Sequence, residues 1–251
     1  MYNEDKQIKE ILKMEYGQKN KSQYVQDTFN SIASRYDLMN SLMSMGMDRS
    51  WRRKTVQTVK AGPGLNILDL CCGTGKMVME IGKRVGPSGR VTGLDFSEQM
   101  LEKARENLLE YPYRDRVDLI QGDAMKLPFE QGTFDGVTVG WGLRNVPELR
   151  RVVREMARVI KSGSMVVSID MGKPEMPVFK QVYWLLFRKL VPLMGKLWAG
   201  KAKEYEYLYS SACEFESQQQ LAAIFCECGL TNTGYKNLMG GAVAIVYGQK
   251  P

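Results

Sequence analysis

Between residues 64 and 170 the chain alternates short, almost wholly apolar runs with longer stretches whose apolar residues recur at helical spacing. "LNILDLCC" reads as a buried strand, "KMVMEIGKRV" as a helix, "GRVTGLD" as a strand and "SEQMLEKARENLLE" as a helix with Ser97 as its cap. "RVDLIQGD" and "FDGVTVGWGL" follow as strands, then "ELRRVVREMARVIK" as a helix and "SGSMVVSID" as a strand. Apolar runs without alternation suit strands covered on both faces, and strands separated by helices argue for a parallel sheet between two helical layers. "SQQQLAAIFCECGL" and "TNTGYKNLMGGAVAIVYGQK" add a helix and two closing strands. The predicted class is α/β, Rossmann-like, with a seven-stranded, mostly parallel sheet.

The flanking patterns differ. Residues 1–22 are polar apart from Ile8, Ile11 and Leu12, and read as a tail or frayed helix. Residues 24–51 carry Val25, Phe29, Ile32 and Tyr36 at helical spacing before a Met-rich irregular stretch, which predicts a helical cap. Residues 23–251 then form one domain, with 23–60 as the cap and 175–215 as an insertion covering the substrate. Within that insertion, residues 175–200 are basic, aromatic and amphipathic. They read either as a helix pair interrupted at Pro192 or as a greasy lid, with Lys180, Arg188, Lys189 and Lys196 near anionic headgroups.

Composition changes this picture chiefly by exclusion. Of 251 residues, 44% are hydrophobic and 25% charged, which suits a soluble globular protein. No run reaches the roughly 20 apolar residues of a membrane span. The N-terminal segment lacks signal-peptide character, so a cytoplasmic location is expected. The formal charge of +7 admits nucleic acid, anionic lipid or an acidic small molecule, but no nucleic-acid recognition motif accompanies it. The five cysteines lack disulfide-framework spacing, and histidine is absent. A metal site, a Ser-His-Asp triad and a Cys-His dyad are therefore disfavoured.

In open parallel sheets the ligand sits beyond the carboxyl ends of the strands, which puts weight on the turn Asp69-Leu70-Cys71-Cys72-Gly73-Thr74-Gly75. Lys76 is followed by Met77, and Leu70 stands where the upstream glycine is required, so a P-loop fails; Val78 occupies the third glycine position of a dinucleotide fingerprint. An acidic strand end followed by G-x-G suits a ligand with a cationic amino-acid tail and no pyrophosphate, and S-adenosylmethionine is such a ligand. The cysteines then act as small apolar fillers. Asp95, ending the second strand, can accept from both ribose hydroxyls, and Asp123-Ala124 can read the adenine amino group. Phe96 and Met100 can flank the adenine, and Gly140 ends the fourth strand beside them.

"YDLMNSLMSMGMDRSWRR", "LDLCCGTG", "GLDFSEQML", "LPFEQGTFD", "GLRNV" and "YEYLYSSACEF" together resemble the C-methyltransferases of menaquinone and ubiquinone biosynthesis, from about Tyr24 onward. The resemblance implies a class I S-adenosylmethionine-dependent methyltransferase acting on a ring carbon of a prenylated quinol. Carried over by position, Thr74, Asp95, Asp123 and Ala124 would contact the cofactor, and Arg144, Asn145 and Tyr36 would face the substrate ring. Asp170 is a candidate proton acceptor, beside tyrosinate or water. Peripheral contact with an anionic membrane is expected, nucleic acid is not, and a homodimer is left open. The chain departs from the family pattern at Val246, where histidine is usual, at Ile169-Asp170-Met171-Gly172, where Leu-Glu-x-Ser is usual, and at Glu216, where proline is common. Those departures keep open a different phenolic or heteroaromatic acceptor. The basic charge alone suggests an RNA-associated regulatory protein as a more distant alternative.

Overall fold

The computed structural model describes residues 18–175, 179, 181, 183 and 202–251. Helix α1 (Gln18–Met43) and helix α2 (Asp48–Thr58) precede the sheet and are joined by a turn through Ser44 and Gly46. The first helix begins at Gln18, inside the stretch read as a tail.

Strands β1 (Asn66–Leu70), β2 (Arg90–Asp95), β3 (Val117–Gln121), β4 (Phe134–Gly140), β5 (Ile160–Met171), β6 (Thr231–Leu238) and β7 (Val243–Gln249) form one sheet in the order β3-β2-β1-β4-β5-β7-β6. β1 to β5 run parallel, and β7 pairs antiparallel with both β5 and β6. The connecting helices are α3 (Lys76–Val85), α4 (Glu98–Leu108), α5 (Leu149–Val159), α6 (Ala202–Glu214) and α7 (Gln218–Glu227).

Period-two alternation divides the central strands between two cores. Leu68 and Leu70 face a cluster with Val152, Val153 and Met156 of α5 and Leu221 and Phe225 of α7. Ile67 faces the opposite cluster, with Val56 of α2, Val78 and Ile81 of α3, and Val167 and Ile169 of β5. Each such fully buried aliphatic side chain contributes about 1.5–3 kcal/mol from leaving water. Local signals agree with the packing: Ser97 Oγ accepts from Met100 N at 3.1 Å to cap α4, and Ser217 with Gln220 forms a reciprocal capping box on α7.

The strand order reverses at β1, whose neighbours are β2 on one side and β4 on the other. The carboxyl ends of these strands therefore open a crevice at the switch point. α1 packs on α4 and walls that crevice from above. Residues 176–178, 180, 182 and 184–201, which carry most of the expected lid and its basic residues, lie outside the described residues, as do residues 1–17.

Candidate active site

The crevice is a cavity of about 180 Å³, floored by Gly73, Asp95, Phe96, Met100, Asp123, Ala124 and Gly140 and walled by Val25, Gln26, Phe29 and Tyr36 of α1. Asp95 is fixed by two backbone donors: Gly73 N to Oδ2 at 2.8 Å and Ser97 N to Oδ1 at 2.9 Å. Burial pushes its pKa up, and the hydrogen bonds from Ser97 and Gly73 oppose that shift. A carboxylate has about four lone-pair positions, so each oxygen retains acceptor capacity toward the cavity. Asp123 is similarly set, its Oδ1 accepting from Met125 N at 2.8 Å. Gly73 has φ of +53°, and an added Cβ would meet no atom within 4 Å, so the left-handed turn itself favours glycine there.

Three residues expected at the cofactor do not line this cavity. Asp69 is 1% exposed, and its Oδ1 accepts from Thr138 Oγ1 at 2.6 Å across the β1–β4 ladder. Burial pushes its pKa up to about 7, with the Thr138 hydrogen bond lowering it and Asp95 raising it further. Thr74 Oγ1 donates to Asp37 Oδ1 of α1 at 2.6 Å and does not line the cavity. Gly75, with φ of +79°, begins α3. Asp69 and Thr74 thus brace the turn from below and from the side.

The paired cysteines pack. Cys71 adopts φ of +52° and presses on Gly142, where an added Cβ would lie 2.6 Å from Cys71 Cβ. Cys72 is buried, and burial pushes both thiols up in pKa, away from a reactive thiolate. Among the described residues no group of metal-binding side chains occurs.

A second cavity, of about 110 Å³, shares Tyr36 and Trp141 with the first. Trp141 follows β4 with φ of +55°, an unusual conformation for a bulky residue, and its N–H still donates to Ile169 O at 2.7 Å. The bend turns its carbonyl toward the two polar side chains that follow it. Arg144 Nη1 donates to that oxygen at 3.0 Å and Asn145 Nδ2 at 3.2 Å. Arg144 Nη1 also donates to Asp170 Oδ1 at 2.6 Å, and Tyr207 OH donates to Asn145 Oδ1 at 3.1 Å.

Arg144 lines the second cavity and Asn145 the first, whereas Asp170 lines neither and stands behind Arg144. Burial opposes the Arg144 charge, but Asp170 and Tyr36 favour it, and the net pKa lies above the ordinary arginine value. Tyr36 is pushed up by burial and pulled back by Arg144 and by a hydrogen bond to Asn40.

The ubiE/COQ5 methyltransferase family model matches residues 17–250. The chain belongs to that family. It is 63% identical over 242 residues to the demethylmenaquinone methyltransferase of Desulfitobacterium hafniense (strain Y51), covering 96% of each chain. It is 44% identical to that of Lactococcus lactis subsp. lactis (strain IL1403), covering 90% of this chain and 89% of the relative. A solved S-adenosylmethionine-dependent methyltransferase of Aquifex aeolicus shares the fold with a TM-score of 0.58 and 19% identity, over 80% of this chain and 89% of that one. The fold is the Rossmann-like class I methyltransferase fold, and S-adenosylmethionine is the cofactor of this ubiE/COQ5 member.

Four residues of this site went unread in the sequence: Asp37, Asp48, Arg52 and Trp141. Asp48 and Arg52 carried a signal, the i,i+4 spacing of opposite charges in "DRSWRR". Trp141 carried none, because its role rests on backbone conformation. Of the departures from the family pattern, Val246 is buried in the core opposite Ser168, whose Oγ is buried with no partner among the described residues. Asp170 places its carboxylate on Arg144.

Proposed function

We propose that this chain transfers a methyl group from S-adenosylmethionine to a ring carbon of demethylmenaquinol, as the names of its curated relatives indicate for those proteins. The observation that carries the reading is a buried arginine, Arg144, facing a cavity that adjoins the Asp95 cleft through Tyr36 and Trp141. The residues present fit the cofactor. Asp95 offers two oriented acceptors for ribose hydroxyls, Phe96 and Met100 offer apolar surface for adenine, and Asp123 with Ala124 closes its polar edge. When bound, S-adenosylmethionine supplies an electrophilic methyl on a sulfonium centre.

A ring carbon becomes nucleophilic when an adjacent hydroxyl is ionised, and such hydroxyls titrate near a pKa of about 10. Arg144, buried and charged, stabilises the phenolate oxygen in a site of low dielectric. Asp170 and the Trp141 carbonyl hold that guanidinium in place, so Asp170 acts as a positioning residue and the hydroxyl proton leaves through water. Asn145, braced by Tyr207 and Trp141, and Tyr36, braced by Asn40, confine the ring between the two cavities. Orienting groups of this kind lower the barrier by fixing the reactants in place.

Purified protein incubated with methyl-labelled S-adenosylmethionine and demethylmenaquinol in detergent tests the reading. Label in the naphthoquinol ring by mass spectrometry supports it, and cofactor binding without transfer to this lipid overturns it.

A prenylated acceptor resides in a bilayer, and no helix among the described residues is long and apolar enough to cross one. The reading therefore includes peripheral contact with an anionic membrane. Salt-sensitive sedimentation with anionic liposomes supports that contact, and absence of sedimentation at low salt overturns it.

A further inference from the structure

The second cavity holds another buried ion pair of the same construction as the first. Arg52 Nη1 donates to Asp48 Oδ2 at 2.6 Å, with side chains 12% and 9% exposed, and both residues line the cavity. An i,i+4 pair on a free helix surface would be solvated. This one is enclosed, because α2 turns it inward beside the buried Ser44, whose Oγ donates to Asp48 Oδ1 at 3.2 Å. The Arg52 guanidinium stands over the Trp141 ring, 5.5 Å from its centroid. Tyr36 feels both arginines, each of which lowers its pKa.

One cavity is thus lined by two arginines, each neutralised by its own aspartate, with the Tyr36 and Trp141 rings beside them. A guanidinium has five N–H donors, and the hydrogen bond to Asp48 uses one of them. The Asp48 partner cancels the charge that would otherwise make an enclosed arginine costly, while leaving donors for a ligand.

We infer that Arg52 is a second oxygen-binding residue, which takes the hydroxyl para to the one at Arg144 and so fixes both ends of a dihydroxy aromatic ring. The inference rests on the functional reading above and deepens it by naming the residue that receives the second, para oxygen of the quinol. Arg144 stabilises the oxygen beside the reacting carbon, and Arg52 sets the ring's rotation about that oxygen. Asp48 positions Arg52 as Asp170 positions Arg144.

The test compares two ring ligands, naphthohydroquinone and the naphthol with one hydroxyl, by calorimetry under argon on wild type and Arg52→Met. Wild type is expected to prefer the dihydroxy ring about 10- to 100-fold, the range for a hydrogen bond to a charged group. Arg52→Met is expected to bind both alike. A purely structural role would weaken both ligands equally and keep the ratio, which would overturn the inference. So would a wild type without preference, a result that needs no variant at all. Arg52→Lys, which keeps a cation over Trp141, should retain part of the preference and covers the case in which the methionine variant fails to fold. Methyl transfer to demethylmenaquinol by wild type is measured alongside. Its absence with the ring preference intact would overturn the functional reading alone, and its presence without the preference would overturn this inference alone.

Discussion

Arg144 and Asp170 meet at 2.6 Å with side chains only 6% and 3% exposed, and one atom of each, Arg144 Nε and Asp170 Oδ2, is buried without a partner among the described residues. An ion pair this enclosed is retained at a cost in desolvation, so it is better explained by what the guanidinium does than by stability. Arg144→Met is expected to lower kcat by about 100-fold or more, the range for losing one preorganised donor at a developing oxyanion. Calorimetric affinity for S-adenosylmethionine should change little. The same substitution leaves a buried carboxylate alone and should cost about 3–5 kcal/mol of stability, most of it recovered in the double variant Arg144→Met, Asp170→Asn. Normal turnover in Arg144→Met would remove this arginine from the chemistry.

Asp95 has the opposite profile. Both oxygens accept from backbone N–H groups and still face the cleft, so the carboxylate is placed before the cofactor arrives. Asp95→Ala should cost about 2–4 kcal/mol of cofactor affinity, the sum expected for two hydrogen bonds to a charged acceptor with some non-additivity. Unchanged calorimetric affinity would overturn the ribose assignment.

Asp37 connects the cap to the glycine turn. Its carboxylate accepts from Thr74 Oγ1 at 2.6 Å and Asn107 Nδ2 at 3.4 Å, and lies 3.4 Å from Lys76 Nζ. It adjoins Tyr36, which lines both cavities, so losing it should loosen α1 over both ligands. Asp37→Ala is expected to raise the KM for S-adenosylmethionine about tenfold, equivalent to ~1.4 kcal/mol, and to speed amide exchange in α1. Amide protection equal to wild type would show that α1 is held without it.

Asp69 yields a pH signature. Its folded-state pKa of about 7 lies above the ordinary value of 3.8. Below that ordinary value both folded and unfolded states are protonated, and nothing is lost. Between the two values the unfolded chain releases its proton first, so stability falls as pH rises through that window and the cost is fully present above about 7. Asp69→Asn, which keeps an acceptor for Thr138, should remove this slope. Melting temperatures of wild type and variant should diverge in favour of the variant as pH rises from 4 to 7. A constant difference across that range would contradict the buried-acid account.

The fold was legible because its signals are local. Buried strands such as "LNILDLCC" have no alternation, helices such as α4 carry their own cap at Ser97, and both follow from neighbours in sequence. A cleft lined by Asp95 and Asp123 was legible for a related reason: Asp95 ends β2, Asp123 follows the neighbouring β3, and topology alone brings strand ends together. What the sequence did not show is contact between distant segments. The hydroxyl of Thr74, in the glycine turn, donates to Asp37 of α1, a partner that its place in the sequence does not reveal. Asp69 likewise accepts from Thr138 of the neighbouring strand, a contact set by the sheet order and not by the turn's sequence. Trp141 could not be read at all, since its part depends on a left-handed backbone that aims one carbonyl at both Arg144 and Asn145.

In the proposed mechanism the enzyme methylates an electron-rich ring carbon whose neighbouring oxygen is held as a phenolate. The most direct test is the initial rate of label transfer to the same prenylated ring, anaerobically, in its reduced and its oxidised form. Carbon-bound label is expected on the reduced ring and none on the oxidised one. Equal transfer to the oxidised ring, or label recovered as a methyl ether on oxygen, would contradict this mechanism.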